Sequence, residues 1–259
     1  MHNAAFAALG LNWRYVACEV DPKYLRPAIA GAQAMGFAGL NLTVPHKLLA
    51  VDLVDVLDPS AKTWGAVNTI RFGPPGATGF NTDADAIIAS LREDLQFSLP
   101  GARVLLLGAG GAGRTAALKL ASGHVAELFL LNRTQSKADA LADEIRRQFP
   151  TVKVSTAYPP GDVDLLLNAT SLGLQPGDAS PLAAARFDLR QAGAVYDMIY
   201  RPAETPLLRA ARAAGCRTAN GLGMLLYQGA AAFQIWTGLT APVEIMRRAL
   251  TENIYGPAQ

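Results

Sequence analysis

The run Asn41–Lys47, NLTVPHK, alternates two apolar residues, Leu42 and Val44, with Asn41 and Thr43, and then gathers a proline, a histidine and a lysine. Alternation of this kind reads as a half-buried strand. A strand that ends in so many hydrogen-bonding side chains is either a solvated loop or an active site. A second kind of chemistry is written in LLLGAGGAGR. Gly108, Gly110 and Gly113 stand in GxGxxG spacing, with Gly111 beside them, after an apolar run and before a helical one. Glycines there allow a tight turn, and the backbone N–H groups that open the following helix suit a pyrophosphate. Dinucleotide binding is the expectation. A fold of this type that takes NAD sets an acid about 20 residues past the glycines, on the ribose 2′-hydroxyl. Asn132 and Arg133 occupy that place, and Lys137 lies one helical turn beyond. Two cations without an acid favour NADP over NAD; the alternative is that Arg133 and Lys137 form a solvated helix start.

The elements that must position these residues follow from periodicity and turn signals. His2–Leu9 reads as a helix, Trp13–Val20 as a strand, and Asp21-Pro22 as the start of a helix running to Gly36. Ala38–Val44 is the next expected strand. Pro45 should end it and open a helix through Val54, and Asp58-Pro59 should start another short helix. Val67–Phe72 and Ala77–Asp83 read as strands joined by the turn Gly73–Gly76, with Asp83 as N-cap of a helix over Ala84–Leu95. Beyond it, RVLLLG, ELFLLN, VKVST, DLLLNAT and AVYDMIY alternate with helical stretches, the pattern of a parallel sheet covered on both faces. Thr205–Gly215 is an expected helix, CRTAN a last short strand, and two closing helices follow Gly221. The fold class is therefore α/β, as two α/β domains. Residues 1–85 with 221–259 carry a mixed, mainly parallel sheet, and residues 86–220 form an inserted Rossmann-type NADP-binding domain.

Composition narrows the function classes. The chain has 259 residues, of which 51% are hydrophobic and 17% charged, and a net charge of +2. That is a folded, globular balance, and the charge is too small to argue for nucleic acid or an anionic membrane surface. Cys18 and Cys216 lie far apart with no CxxC pair, so two reduced, buried thiols in a cytoplasmic protein are expected. No secretory leader is recognisable at Met1-His2-Asn3. Gly221–Leu239 carries no charge and is about long enough to span a bilayer, but its two glutamines and several glycines favour a buried helix. There is no metal-ligand constellation, and neither a G-x-S-x-G nor a Cys/His pair offers a nucleophile.

The chain resembles shikimate dehydrogenase. The blocks that carry the likeness are NLTVPHK, GAVNT (Gly65–Thr69), GFNTD (Gly79–Asp83), GAGGAG, NRT (Asn132–Thr134), NATSLG (Asn168–Gly173), YDMIY (Tyr196–Tyr200) and GLGML followed by Gln228. They run in family order over nearly the whole chain. The resemblance implies an enzyme, a monomer or homodimer, that reduces 3-dehydroshikimate to shikimate with NADPH in aromatic (chorismate) biosynthesis, with residues 1–85 and 221–259 as its substrate domain. It implies Lys47 and Asp83 as the catalytic pair, and Thr43, Asn68, Tyr200 and Gln228 as substrate ligands, with Asn41 beside them. It also implies Asn132, Arg133, Thr134 and Lys137 at the cofactor, Thr170 near it, and the main chain around Gly221 facing the nicotinamide.

The sequence departs from the family pattern in two places. Family members carry a strand and an SxSxP segment, whose serines hold the substrate carboxylate, just before a block like MHNAAF. The sequence begins inside that region; only a genuine loss of the segment would leave the first sheet one strand short and weaken carboxylate binding. Ala86 stands where a glycine is common, tolerable if the position is helical. The competing readings are an enzyme for quinate or an amino analogue and a non-catalytic NADP-binding relative. The presence of both Lys47 and Asp83 speaks against the last. Reduction of a ketone needs a positioned acid for the developing alkoxide, and a lysine oriented by a carboxylate meets that need.

Overall fold

In the computed structural model, which describes residues 1–175, 177–182 and 186–256, the chain divides into two units, Met1–Ala86 with Leu226–Gln259, and Ile87–Leu225. The first unit begins with α1 (His2–Ala8), α2 (Leu25–Ala34), β1 (Gly39–Asn41), α3 (His46–Leu49), β2 (Val56–Leu57), α4 (Pro59–Trp64), β3 (Thr69–Gly73) and β4 (Gly76–Phe80). The chain passes into the second unit within α5 (Asp83–Leu95). There follow β5 (Arg103–Leu107), α6 (Gly111–Ser122), β6 (Glu127–Leu131), α7 (Gln135–Gln148), β7 (Lys153–Ser155), β8 (Val163–Asn168), β9 (Ala192–Asp197), α8 (Pro206–Ala213) and β10 (Arg217–Asn220). It returns within α9 (Leu222–Thr237) and closes with α10 (Val243–Tyr255).

Local chemistry starts these helices where the sequence places them. Asp21 accepts the Lys23 N–H ahead of a 3-10 turn, Pro22–Tyr24, that runs into α2. Asp58 accepts the Ser60 N–H and Pro59 fills the first position of α4. In each case an aspartate satisfies an orphan donor and a proline has none to lose. α4 stops on Gly65, whose φ of 63° lies in the left-handed region that suits glycine.

The sheet of the first unit is mixed, in the order β1-β3-β4-β2. Parallel pairing is its minority: β2 runs parallel to β4, while β3 is antiparallel to both β1 and β4. The expectation of mainly parallel strands fails because the tight turn at Pro74-Pro75 folds β3 straight back onto β4. Leu25 and Ile29 of α2 pack with Val67, Ile70 and Ala77 under this sheet.

Four local expectations also change. Trp13–Val20 is not a strand: among the described residues no strand pairs with it, its residues are mostly exposed, and an alternating sequence becomes a strand only through a ladder partner. β1 stops at Asn41, because the chain then turns, with His46 N–H donating to Thr43 O at 2.8 Å. Leu42 still packs on the core but Val44 is 79% exposed. The helix expected through Val54 is one turn, α3, followed by a 3-10 turn over Ala50–Asp52 and the short β2. Cys18 is exposed; only Cys216 is buried.

The second unit's sheet is parallel throughout, in the order β10-β9-β8-β5-β6-β7. In its interior, Val104, Leu105, Leu106 and Leu107 are all buried, so β5 is covered on both faces. At the end of β9 the Tyr196 hydroxyl lies 2.8 Å from Ser90 Oγ, which donates to Asp94 at 2.6 Å. Gly223 is pressed against that pair, and a Cβ there would overlap both side chains. Burial pushes the Tyr196 phenol far up. Among the described residues no helix is long and apolar enough to cross a membrane.

Candidate active site and dinucleotide cavity

In the first unit, Lys47 Nζ donates to Asp83 Oδ2 at 2.8 Å. Lys47 comes from α3 and Asp83 opens α5, so the turn after β1 and the end of β4 bring together residues 36 apart in sequence. The pair is only partly buried, with side-chain exposures of 28% and 13%, so it remains within reach of a ligand. Asp83 does not cap its own helix. Asn81 Oδ1 accepts the N–H groups of Asp83 (3.1 Å) and Ala84 (3.3 Å), which leaves the Asp83 carboxylate to Lys47. A carboxylate in the first turn also gains from the helix dipole. Ala86, buried within α5, takes an ordinary helical place.

A buried polar network supports this pair. Asn68 is 1% exposed. Its Nδ2 donates to Thr82 Oγ1 at 2.9 Å, and its Oδ1 accepts the Thr82 N–H at 2.8 Å and the Thr69 hydroxyl at 3.2 Å. Asn41 Nδ2 donates to Thr69 Oγ1 at 3.0 Å and to Asn68 O at 3.3 Å, and Asn41 Oδ1 accepts from the Tyr15 hydroxyl at 3.1 Å. Thr69, Asn81 and Thr82 stand in the GAVNT and GFNTD blocks, but the resemblance assigns them no role, and Tyr15 stands in no block; only the pairing of β3 with β4 brings the two threonines together. An amide nitrogen has two hydrogens, and the bond to Thr82 uses one of those on Asn68. Thr43 is exposed in the turn beyond β1, and Gln228 is half-buried in the part of α9 that belongs to this unit. Tyr200 and Gly221 belong to the second unit: Tyr200 is 36% exposed, and Gly221 is packed so closely on the Met198 carbonyl that a Cβ would overlap it.

In the second unit, the glycine turn lies between β5 and α6. Gly108 has a φ of 103°, a conformation L side chains rarely adopt. A Cβ on Gly113 would overlap the Gly108 carbonyl oxygen, so glycine is what lets α6 close onto the turn. Gly110 and Gly111 stand at the helix start with open space where a Cβ would go. Asn132 ties the turn down, accepting the Ala109 N–H at 3.0 Å and donating to Thr134 O at 2.8 Å. A cavity of about 1160 Å³ opens here, lined by Gly108, Gly110, Asn132, Arg133, Thr170 and neighbours. Gly111, Gly113, Thr134, Lys137 and Gly221 are outside its lining. Asn168 orients Thr170, accepting from both its N–H (3.0 Å) and its hydroxyl (2.8 Å). Asn168 also donates to buried Asp197 at 2.9 Å, and burial raises the Asp197 pKa against the pull of that bond and of the bonds from Thr205 and Ile199. The lining holds two arginines and no carboxylate, a donor set that fits a phosphorylated dinucleotide over an unphosphorylated one.

Comparison with known proteins bears on the whole chain. Residues 1–70 match the shikimate dehydrogenase substrate binding domain, residues 90–171 the shikimate/quinate 5-dehydrogenase family, and residues 221–251 the shikimate 5′-dehydrogenase C-terminal domain. The NADP(+) shikimate dehydrogenase of Methanopyrus kandleri is 42% identical over 98% of this chain and 90% of its own length. The protein belongs to the shikimate dehydrogenase family. The Moorella thermoacetica shikimate dehydrogenase (NADP(+)) is 45% identical over 97% of this chain and 87% of its own. The Thermus thermophilus shikimate 5-dehydrogenase, solved with NADP(H) and shikimate, is 37% identical with a TM-score of 0.86 over 97% of this chain and 92% of that one. Membership of that family accords with the two α/β units of this chain, one with a mixed sheet and one with a parallel sheet.

Proposed function

We propose that this protein catalyses the reversible NADPH-dependent reduction of 3-dehydroshikimate to shikimate, the reaction that serves aromatic biosynthesis. The observation that carries the reading is the 2.8 Å contact of Lys47 Nζ with Asp83 in a chain of this family. The first unit is the substrate domain and the second takes NADP(H), with the glycine turn at its pyrophosphate and Arg133 at its 2′-phosphate. When bound, NADPH supplies the hydride. Lys47 gives the proton that the developing alkoxide needs, and Asp83 holds the ammonium in orientation. In the oxidative direction neutral lysine takes the hydroxyl proton. A positioned acid of this kind is worth about 10²–10⁴-fold in rate. Asn68 offers its remaining amide hydrogen to the substrate, and Thr43, Gln228 and Tyr200 supply further polar contacts. Gly221 presents its main chain to the nicotinamide.

The test is turnover with shikimate and with quinate, each with NADP⁺ and with NAD⁺. Shikimate with NADP⁺ is expected to be fastest. Faster oxidation of quinate with NAD⁺ overturns the reading.

A further inference from the structure

The second guanidinium in the dinucleotide cavity, Arg186, lies far along the chain from the glycine turn and from Arg133. It follows β8 in sequence, yet its guanidinium stands over the ring of Tyr158, 5.0 Å from the centroid. Tyr158 follows β7, at the other end of the sheet from β9 and β10. Tyr158 itself packs on the buried cluster that includes Leu182 and Phe187, so the platform beneath the guanidinium is anchored on both sides of Arg186. Among the described residues no carboxylate forms an ion pair with Arg186, and none lines the cavity.

Topology says which end of the ligand Arg186 meets. Gly108 and Thr170 follow β5 and β8, adjacent strands in the sheet, and mark the pyrophosphate side. Arg133 and Tyr158 follow β6 and β7, also adjacent, and mark the opposite side. By resting on Tyr158, Arg186 is held to the Arg133 side. A guanidinium stacked on an aromatic face has already lost part of its rotamer freedom, and its planar fork matches the oxygens of a phosphate. We propose that Arg186, seated on Tyr158, is a second cation for the 2′-phosphate of NADP(H) and a determinant of its selection over NAD(H). This rests on the cofactor reading given above.

The experiment is equilibrium binding to the substrate-free protein by calorimetry, with NADPH, NADH and 2′,5′-ADP as probes, for wild type, Arg186→Gln, Arg186→Lys and Arg133→Gln. Loss of a charge-assisted contact predicts that Arg186→Gln weakens NADPH and 2′,5′-ADP by about tenfold and leaves NADH unchanged. Arg186→Lys, which keeps the charge and gives up the fork, is expected to fall between. Equal weakening of NADPH and NADH by Arg186→Gln overturns the proposal, since it marks a contact to the common part of the ligand or damage to the loop. No change for either overturns it as well. Arg133→Gln separates the two levels: if it shifts the NADPH-to-NADH ratio and Arg186→Gln does not, Arg186 alone is wrong. If neither shifts the ratio, the 2′-phosphate reading of this end of the cavity falls too.

Discussion

Asn68 and Thr82 exchange two hydrogen bonds: Asn68 Nδ2 donates to the Thr82 hydroxyl at 2.9 Å, and Thr82 N–H donates to Asn68 Oδ1 at 2.8 Å. Thr82 is the residue before Asp83, so the amide fixes the backbone that delivers the Asp83 carboxylate to Lys47. Asn68→Ala is expected to lower stability by about 2 kcal/mol, because buried donors and acceptors are left unpaired, and to reduce kcat as well. Denaturant unfolding and steady-state kinetics read both. Unchanged stability with only a raised KM would reduce Asn68 to a substrate ligand.

Lys47→Ala is expected to lower kcat by about 10²-fold or more while changing substrate affinity less. Asp83→Asn, which keeps the helix and its Asn81 cap, should follow in the same direction by a smaller factor. Steady-state kinetics of shikimate oxidation with NADP⁺ decide. A Lys47→Ala enzyme with near-normal kcat would remove the lysine from the proton transfer.

Gly113→Ala and Gly110→Ala should separate packing from ligand approach. At Gly113 an added methyl overlaps the Gly108 carbonyl, and such overpacking costs about 1–3 kcal/mol. Its thermal midpoint should fall. At Gly110 nothing lies within 4 Å of an added Cβ and φ is −80°, so stability should hold while NADPH binding weakens. Equal thermal midpoints for the two variants would contradict this division.

His2 gives an acid-side prediction. Its ring is 4% exposed, neither nitrogen has a hydrogen-bond partner among the described residues, and burial lowers its pKa to about 4. Well above pH 6.5 the ring is neutral in both folded and unfolded chains. As pH falls from there towards 4, the unfolded chain takes up a proton that the folded one refuses, so stability declines. The full loss is about 3 kcal/mol, reached below the folded pKa. His2→Phe, which keeps a ring beside Tyr15 and Trp236, should flatten the fall in thermal midpoint between pH 6.5 and 4 relative to wild type. Parallel curves for the two proteins would rule His2 out as the titrating group.

Features written in local sequence were legible. The glycine turn needs only its own spacing, and the α2 and α4 starts need only an aspartate and a proline. Lys47 and Asp83 could be named as a pair, but their 2.8 Å contact depends on the register that sets Thr69 opposite Phe80. That register also decides that Asn81 rather than Asp83 caps α5, and that Thr82 meets Asn68. Trp13–Val20 has the alternation of a strand without a strand beside it, and no periodicity reports the absence of a neighbour. Arg186 left no mark at all, because its partner Tyr158 stands on the far side of β8 in the chain and their meeting is made by the sheet order.

The packing of Gly223 against Ser90 and Asp94 has a consequence for how such a chain can be assembled from parts. Ser90 stands just after the point where the inserted unit begins, and Gly223 just before the point where it ends. An insertion whose two ends adjoin asks its host to close only a short gap, and loop closure over a short span costs little. The two ends of residues 87–225 therefore lie side by side, and the chain leaves and re-enters the first unit through two helices, α5 and α9, rather than through loops.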